Sequence, residues 1–251
     1  LQGDGTTGFA TLTSAASLTN NGTIELTSIT SAYGATVAVT GAGTLTNAAG
    51  ATITSLVGAG GTRTLAAQLN NLGTVTMFQP LTLSHASAAH SNSGLIDASA
   101  VDWTLTQSGT TPSFTNTGTV TIGAGRTWTV SGGTLNQSAG SIGGPGTLSL
   151  NSMTANFTTN LTNATTTLLL NSVTVNGPGT LTNAPGQTMT LKNVTIAATS
   201  ALDNQGTLIS NATVTVNGPF TTSAASVLRL QPDGTTGFSN RRLTCSERLP
   251  R

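Results

Sequence analysis

Short runs in which every second residue is apolar recur along the whole chain. Val37 and Val39, Leu81 and Leu83, Trp103 and Leu105, Trp128 and Val130, Val173 and Val175, Val194 and Ile196, and Val214 and Val216 are examples. Such alternation, in runs filled out by Thr and Val, predicts β-strands with one buried face. Gly, Asn and Pro stand between the runs and break them. No window carries a helical stripe, and no run approaches the roughly 18 apolar residues of a membrane helix.

The runs belong to a repeat. An apolar residue, any residue, then Asn lead into a small or Gly-containing turn and a Thr-rich strand. The unit starts at Leu18 (LTNNGTIEL), Leu45, Leu69, His90 (HSNSGLIDA), Phe114, Leu135 (LNQSAGSI, without the Asn), Leu161, Leu181 and Leu202. These starts give a mean period near 23 residues. GAGT, GGT or GPGT precedes several of them, as at Gly41–Thr44 and Gly177–Thr180. No unit of this size can bury its apolar face alone, and stacking on its neighbours solves that problem. The predicted fold is therefore all-β: a parallel β-helix (solenoid) of about 9–10 rungs, roughly 45 Å long at about 4.8 Å per rung. A hairpin-built barrel or sandwich is the alternative. Asn21-Gly22 and Asp4-Gly5 suit it, but most turns do not.

Two sets of side chains then fall into columns. Asn20, Asn47, Asn71, Asn92, Asn116, Asn163, Asn183 and Asn204 occupy one phase of the repeat. They are expected to form a buried ladder, amide on amide, with every group hydrogen-bonded. Thr52, Thr54, Thr74, Thr76, Thr119, Thr121, Thr188 and Thr190 follow the turn in Thr-x-Thr pairs and form a candidate Thr face. Such a face suggests ordering of water or binding of ice. Glu25, Asp97 and Ile209 interrupt it.

Residues 230–239 (LQPDGTTGFS) match residues 1–10 (LQGDGTTGFA) at eight of ten positions, as if a large unit began again. Residues 1–238 read as a single repeat domain, part of a longer array. Residues 239–251 read as an atypical basic tail, out of frame or disordered. Arg229, Arg241, Arg242, Arg248 and Arg251 are five of the eight basic residues, and Cys245 is the only cysteine.

Composition narrows the function. Charged residues make up 6% of the 251, and the formal net charge is +1, where ordinary domains carry about 25%. The basic field a nucleic-acid binder needs is missing from the body of the chain. A single Cys builds no disulfide framework.

At LTNxGT, GPGTLTN and the Thr-rich strands that follow, the chain resembles the repeats of bacterial surface proteins, those of filamentous-haemagglutinin-type adhesins and autotransporter passenger domains. The resemblance covers residues 1 to about 238. It implies export to the cell surface or medium, a stalk-like or adhesive role, and contacts to glycans or to host and cell-surface proteins. It carries over no catalytic residue.

Sites for chemistry are sparse. Glu25 and Asp97 share a phase but stand three rungs apart, roughly 14 Å, beyond the roughly 5–9.5 Å of glycosidase pairs. Asp97 and Asp102 share one rung and read as solvated turn residues. Arg63, Arg126 and Lys192, the basic candidates for a lyase-like reaction, are scattered. Arg126 is expected in a loop and Trp128 in the core. His85 and His90 read as a surface pair, too sparse for a metal. GAGGTR at Gly58–Arg63 reads as a turn and not a phosphate cradle. Neither a nucleophile elbow nor a phosphate-binding loop occurs. The expectation is a non-enzymatic protein with no catalytic, cofactor or metal site. A carbohydrate-active β-helix enzyme is the least favoured alternative.

Overall fold

The computed structural model describes residues 1–231 and the strand Leu243–Cys245. The expectations for the tail and for the second copy of the opening motif lie otherwise outside the described residues. The chain is a parallel β-solenoid of about eleven turns with a period of about 21 residues.

Each turn passes through three walls in the same order. Wall 1 begins with Leu18–Asn20 and continues through Thr44–Asn47, Gln68–Asn71, Ala89–Asn92, Ser113–Asn116 and Thr134–Gln137. Wall 2 follows it, with Thr23–Ser28, Thr52–Ser55, Thr74–Met77, Leu95–Ala98, Thr119–Ile122 and Ser141–Gly143. Wall 3 holds Ala10–Ser14, Ala35–Val39, Arg63–Ala66, Leu81–Leu83, Trp103–Thr106 and Thr127–Ser131. Every strand pair is parallel. Among the described residues the antiparallel contact is one isolated bridge, Asp4 to Gly8, where the Asp-Gly signal had pointed to a hairpin.

Side chains alternate as the pleat requires. Inward positions form a continuous apolar column system of Leu, Val and Ile. One stretch of it is aromatic. Trp103 and Trp128 stack with centroids 5.0 Å apart and planes 7° from parallel, and Phe114 meets both edge-on. Trp128 faces the core, as the alternation predicted, and Arg126 is exposed in the preceding corner.

Turn length is set at the corners. In wall 1 the column Leu135, Ala155, Val175, Ile196, Val216 advances by 20, 20, 21 and 20 residues. Here wall 3 meets wall 1 at a single left-handed residue: Ser152 (φ 49°), Ser172 (φ 56°) or Asn193 (φ 52°). Thr147–Phe157 and Thr167–Asn176 are continuous through that bend. Earlier turns spend more residues at this corner, for instance 84–88 and 107–112, and Leu18 to Leu45 takes 27.

The period near 23 expected from sequence is therefore corrected. One of its intervals, Leu135 to Leu161, is not a turn. The residue that follows Leu135 in its column is Ala155. Leu161 belongs to the next wall, with Leu161–Thr162, Thr180–Asn183, Ala201–Asn204 and Phe220–Thr222 in succession. The LTN motif thus moves from wall 1 to wall 2 between Gln137 and Asn163.

Candidate functional site

The inner asparagines form two ladders, not one. Asn20 donates from Nδ2 to Asn47 Oδ1 at 2.8 Å, Asn47 to Asn71 at 2.8 Å, Asn71 to Asn92 at 2.7 Å, Asn92 to Asn116 at 2.7 Å, and Asn116 to Gln137 Oε1 at 2.8 Å. The second ladder joins Asn163, Asn183 and Asn204 at 2.7 Å per step on wall 2. All eight asparagines are buried. Most have a second donor bond to a wall carbonyl one turn on, such as Asn71 to Leu95 O at 3.0 Å. Each amide thus satisfies its own polar atoms and a backbone oxygen that the corner would orphan. The corner glycines permit this stacking. A Cβ on Gly118 would lie 2.1 Å from Gly94 O, and one on Gly140 would lie 1.9 Å from Gly118 O.

The Thr residues predicted as one face are split. Thr52, Thr54, Thr74, Thr76, Thr119 and Thr121 share wall 2, in the columns Thr23, Thr52, Thr74, Leu95, Thr119 and Glu25, Thr54, Thr76, Asp97, Thr121. Thr188 and Thr190 stand on wall 3, where they pair with Thr207 and Ile209. The wall shift of the motif separates them.

A more regular outer surface lies apart from these Thr-x-Thr pairs. On wall 1, Thr134, Thr154, Thr174, Thr195 and Thr215 form an unbroken column. Two residues along each strand stand Asn136, Asn156, Asn176, Ala197 and Asn217. Asn176 donates to Asn156 at 2.8 Å, Asn156 to Asn136 at 2.7 Å, and Asn136 to Thr115 Oγ1 at 3.2 Å. The result is a grid of Thr-x-Asn, about 4.8 Å between rungs and roughly 7 Å along each strand, with no charged residue in it. The recurrence TLN, TAN, TVN, TIA, TVN was the legible signal.

Two walls are interrupted. Wall 3 has no ladder between Leu81–Leu83 and Trp103–Thr106, and there Trp103 Nε1 donates to Leu81 O at 2.9 Å. Wall 2 is unpaired between Ser141–Gly143 and Leu161–Thr162. A cleft of about 430 Å³ opens at this seam, lined by Thr121, Gln137, Ser141, Asn160, Thr162 and Thr165 among others. Its polar lining is hydroxyl and amide, without ionisable groups.

The ionisable candidates are placed away from any common centre. Glu25 and Asp97 do share one column, three steps apart. Asp97 accepts from Ser99 N at 2.9 Å, and Asp102 from Thr127 N at 2.8 Å. Among the described residues no three of His, Cys, Asp and Glu gather as a metal site.

His90 corrects the expectation of a surface pair. It is 4% exposed and stands in the core column between Leu69 and Phe114. Its Nδ1 accepts from Leu69 N at 3.0 Å. Burial, with a smaller contribution from His85, lowers its pKa to about 4. His85 is half-buried at a corner, with its ring nitrogens near Ala86 O and Gly41 O.

Arg63 is fully buried. Its guanidinium donates to Leu56 O, Val57 O, Gly60 O, Thr62 O, Tyr33 O and Ser28 Oγ at 2.9–3.5 Å. Desolvation lowers its pKa below the usual arginine value. Arg63 is thus the internal tie of the loop 56–62 and not a surface base.

Comparison with protein-family models, curated proteins and solved structures gives no match. The fold is shown by the coordinates alone.

Proposed function

We propose that the chain is a non-enzymatic structural and adhesive segment of an exported bacterial surface protein, of the filamentous-haemagglutinin or autotransporter-passenger type. The observation that carries this reading is the uncharged Thr-x-Asn grid on wall 1, held on a rigid stack of parallel turns. Asn side chains fixed by their own ladder lose little entropy on contact. Thr hydroxyls offer both donor and acceptor to a neutral partner. Glycans and polar patches of cell-surface proteins suit such a surface, with many contacts that are each weak. The seam cleft, similarly uncharged, adds a second place for a sugar to sit.

Glycan arrays and intact host cells probed with the labelled chain test this reading. Expected is salt-insensitive retention that is lost when Thr154, Thr174 and Thr195 are all replaced by Glu. No retention on either support, or retention unchanged in that variant, contradicts it.

The same grid supports a second reading, in which the regular hydroxyl and amide rows order water and bind ice. It moves the ice-binding surface from the Thr-x-Thr pairs to wall 1. Thermal hysteresis that disappears in the Thr174→Lys variant supports it. Freezing identical to that of a control protein excludes it.

A further inference from the structure

The wall shift has a counterpart at the two ends of the solenoid. In the first six turns LTN lies on wall 1 and the Thr-rich strand after it on wall 2. From Asn163 onward LTN lies on wall 2 and its successor, such as Thr188–Lys192, on wall 3. The sequence from Leu230 repeats that from Leu1. Leu230 ends a wall 3 strand, Val227–Leu230, which pairs with Thr207–Ser210. Leu1 leads into Gln2–Gly3, which lie on wall 2 against Thr27 and Ser28. The opening Leu of the motif thus lies one wall later at its second occurrence.

Both terminal turns leave a core column uncovered. Leu12 is 44% exposed, whereas its neighbour in the column, Val37, is fully buried. Leu228 is 41% exposed, while Leu208 beneath it is buried. Among the described residues, Ala10–Ser14 and Val227–Leu230 each pair with a strand on one side alone, leaving the kind of edge that pairs with another strand.

We infer that the 229-residue unit stacks head to tail on a further copy of itself, each copy rotated by one wall relative to the last. This goes beyond the adhesive reading and does not depend on what the rod contacts. The register supports it. A one-wall rotation places the wall 1 strand Leu18–Asn20 of the next copy on Phe220–Thr222, the last described strand of wall 2. Leu18 then follows Leu202 and Phe220, and Asn20 follows Asn204 and Thr222. The second asparagine ladder of one copy runs, with Thr222 as its one interruption, into the first ladder of the next. Without rotation, Leu18 would follow Val216 on wall 1, and each ladder would end inside its own copy.

A two-copy chain tests this, with residues 1–229 joined directly to residues 1–251 and Cys245 replaced by Ser. Neighbouring Cα atoms in a parallel pair lie about 4.8 Å apart, inside the roughly 4.4–6.8 Å span of a disulfide. Cys placed at Thr221 of the first copy and Thr19 of the second is expected to cross-link nearly completely under mild oxidation. Cys at Asn217 of the first copy and Thr19 of the second is expected not to. Amide exchange in Ala10–Ser14 of the second copy is expected to slow by more than about tenfold relative to the single chain. Linkage through Asn217 would overturn the rotation. Linkage through neither, with exchange in Ala10–Ser14 as fast as in the single chain, would overturn the stacking itself. Glycan or ice binding by the single chain is unaffected by either outcome.

Discussion

Phe157 occupies the place directly above Gln137 in wall 1, and with that exchange the first asparagine ladder stops. Gln137 accepts from Asn116 and turns its own Nε2 back to Ala139 O of the same turn. Nothing amide-like stands above it, and the next ladder begins one wall over at Asn163. The solenoid is thus two ladder-stabilised segments that share one apolar core, with the seam cleft between them.

The interior of a ladder should be far more sensitive than the outer grid. Asn71→Ala removes the acceptor of Asn47, the donor to Asn92 and the donor to Leu95 O. Losing these three bonds inside the buried ladder is expected to cost about 2–4 kcal/mol. Asn156→Ala on the half-buried outer row is expected to cost about 1 kcal/mol or less. Chemical denaturation of the two variants measures the difference.

The two stacked tryptophans should not be equivalent. Trp103 Nε1 bonds Leu81 O across the break in wall 3, while Trp128 Nε1 is buried without a partner. Both substitutions to Phe lose ring volume. Only Trp103→Phe orphans a buried carbonyl, so it should be the more destabilising by about 1 kcal/mol or more. Paired thermal melts of Trp103→Phe and Trp128→Phe give the comparison.

His90 should make the solenoid sensitive to acid. Its folded pKa of about 4 lies below the ordinary 6.5, so the unfolded chain binds its proton more readily. Stability is complete above about pH 6.5 and falls as the pH drops towards 4, by about 3 kcal/mol in all. His90→Phe, which matches Phe114 above it, should remove this slope. Melting temperatures of both proteins between pH 4 and 7 provide the check. An equal slope in the variant would place the acid sensitivity elsewhere.

Arg63 holds its loop through five carbonyls and one hydroxyl. Arg63→Met fills much of the same volume but removes the guanidinium donor from all six oxygens, of which Val57 O, Gly60 O and Thr62 O keep Gly60 N, Ser28 Oγ and Ala35 N as donors. The expected cost is about 3 kcal/mol. Amide exchange should rise in residues 56–62 first, ahead of Ala35–Val39 and the rest of wall 3.

Much of the fold was legible because its stabilising contacts repeat. Alternation of Val, Leu and Ile marked the strands, and the recurrent Asn marked the ladders. Alignment by motif does not follow the walls. A motif match cannot register that LTN has moved to another wall, so it counts Leu135 to Leu161 as a turn and groups Thr188 with Thr119. Only pairing shows that Ala155 stands above Leu135. The burial of His90 is hidden for a related reason. Its polarity suggested the surface, although HSN aligns it with the Leu of LNN and the Phe of FTN. The burial of Arg63 has no signal in the sequence, because five of its six partners are backbone oxygens.

The most direct test of the account asks which residue touches Asn136. The structure places Asn156 there, 20 residues on and hydrogen-bonded at 2.7 Å. The motif repeat alone would place Thr162 there, 26 residues on. With Cys245 replaced by Ser, the variant carrying Asn136→Cys and Asn156→Cys is expected to form a disulfide readily, and that carrying Asn136→Cys and Thr162→Cys is not. The reverse pattern would contradict the wall shift. Failure of both pairs would contradict the parallel stack of turns on which every other conclusion rests.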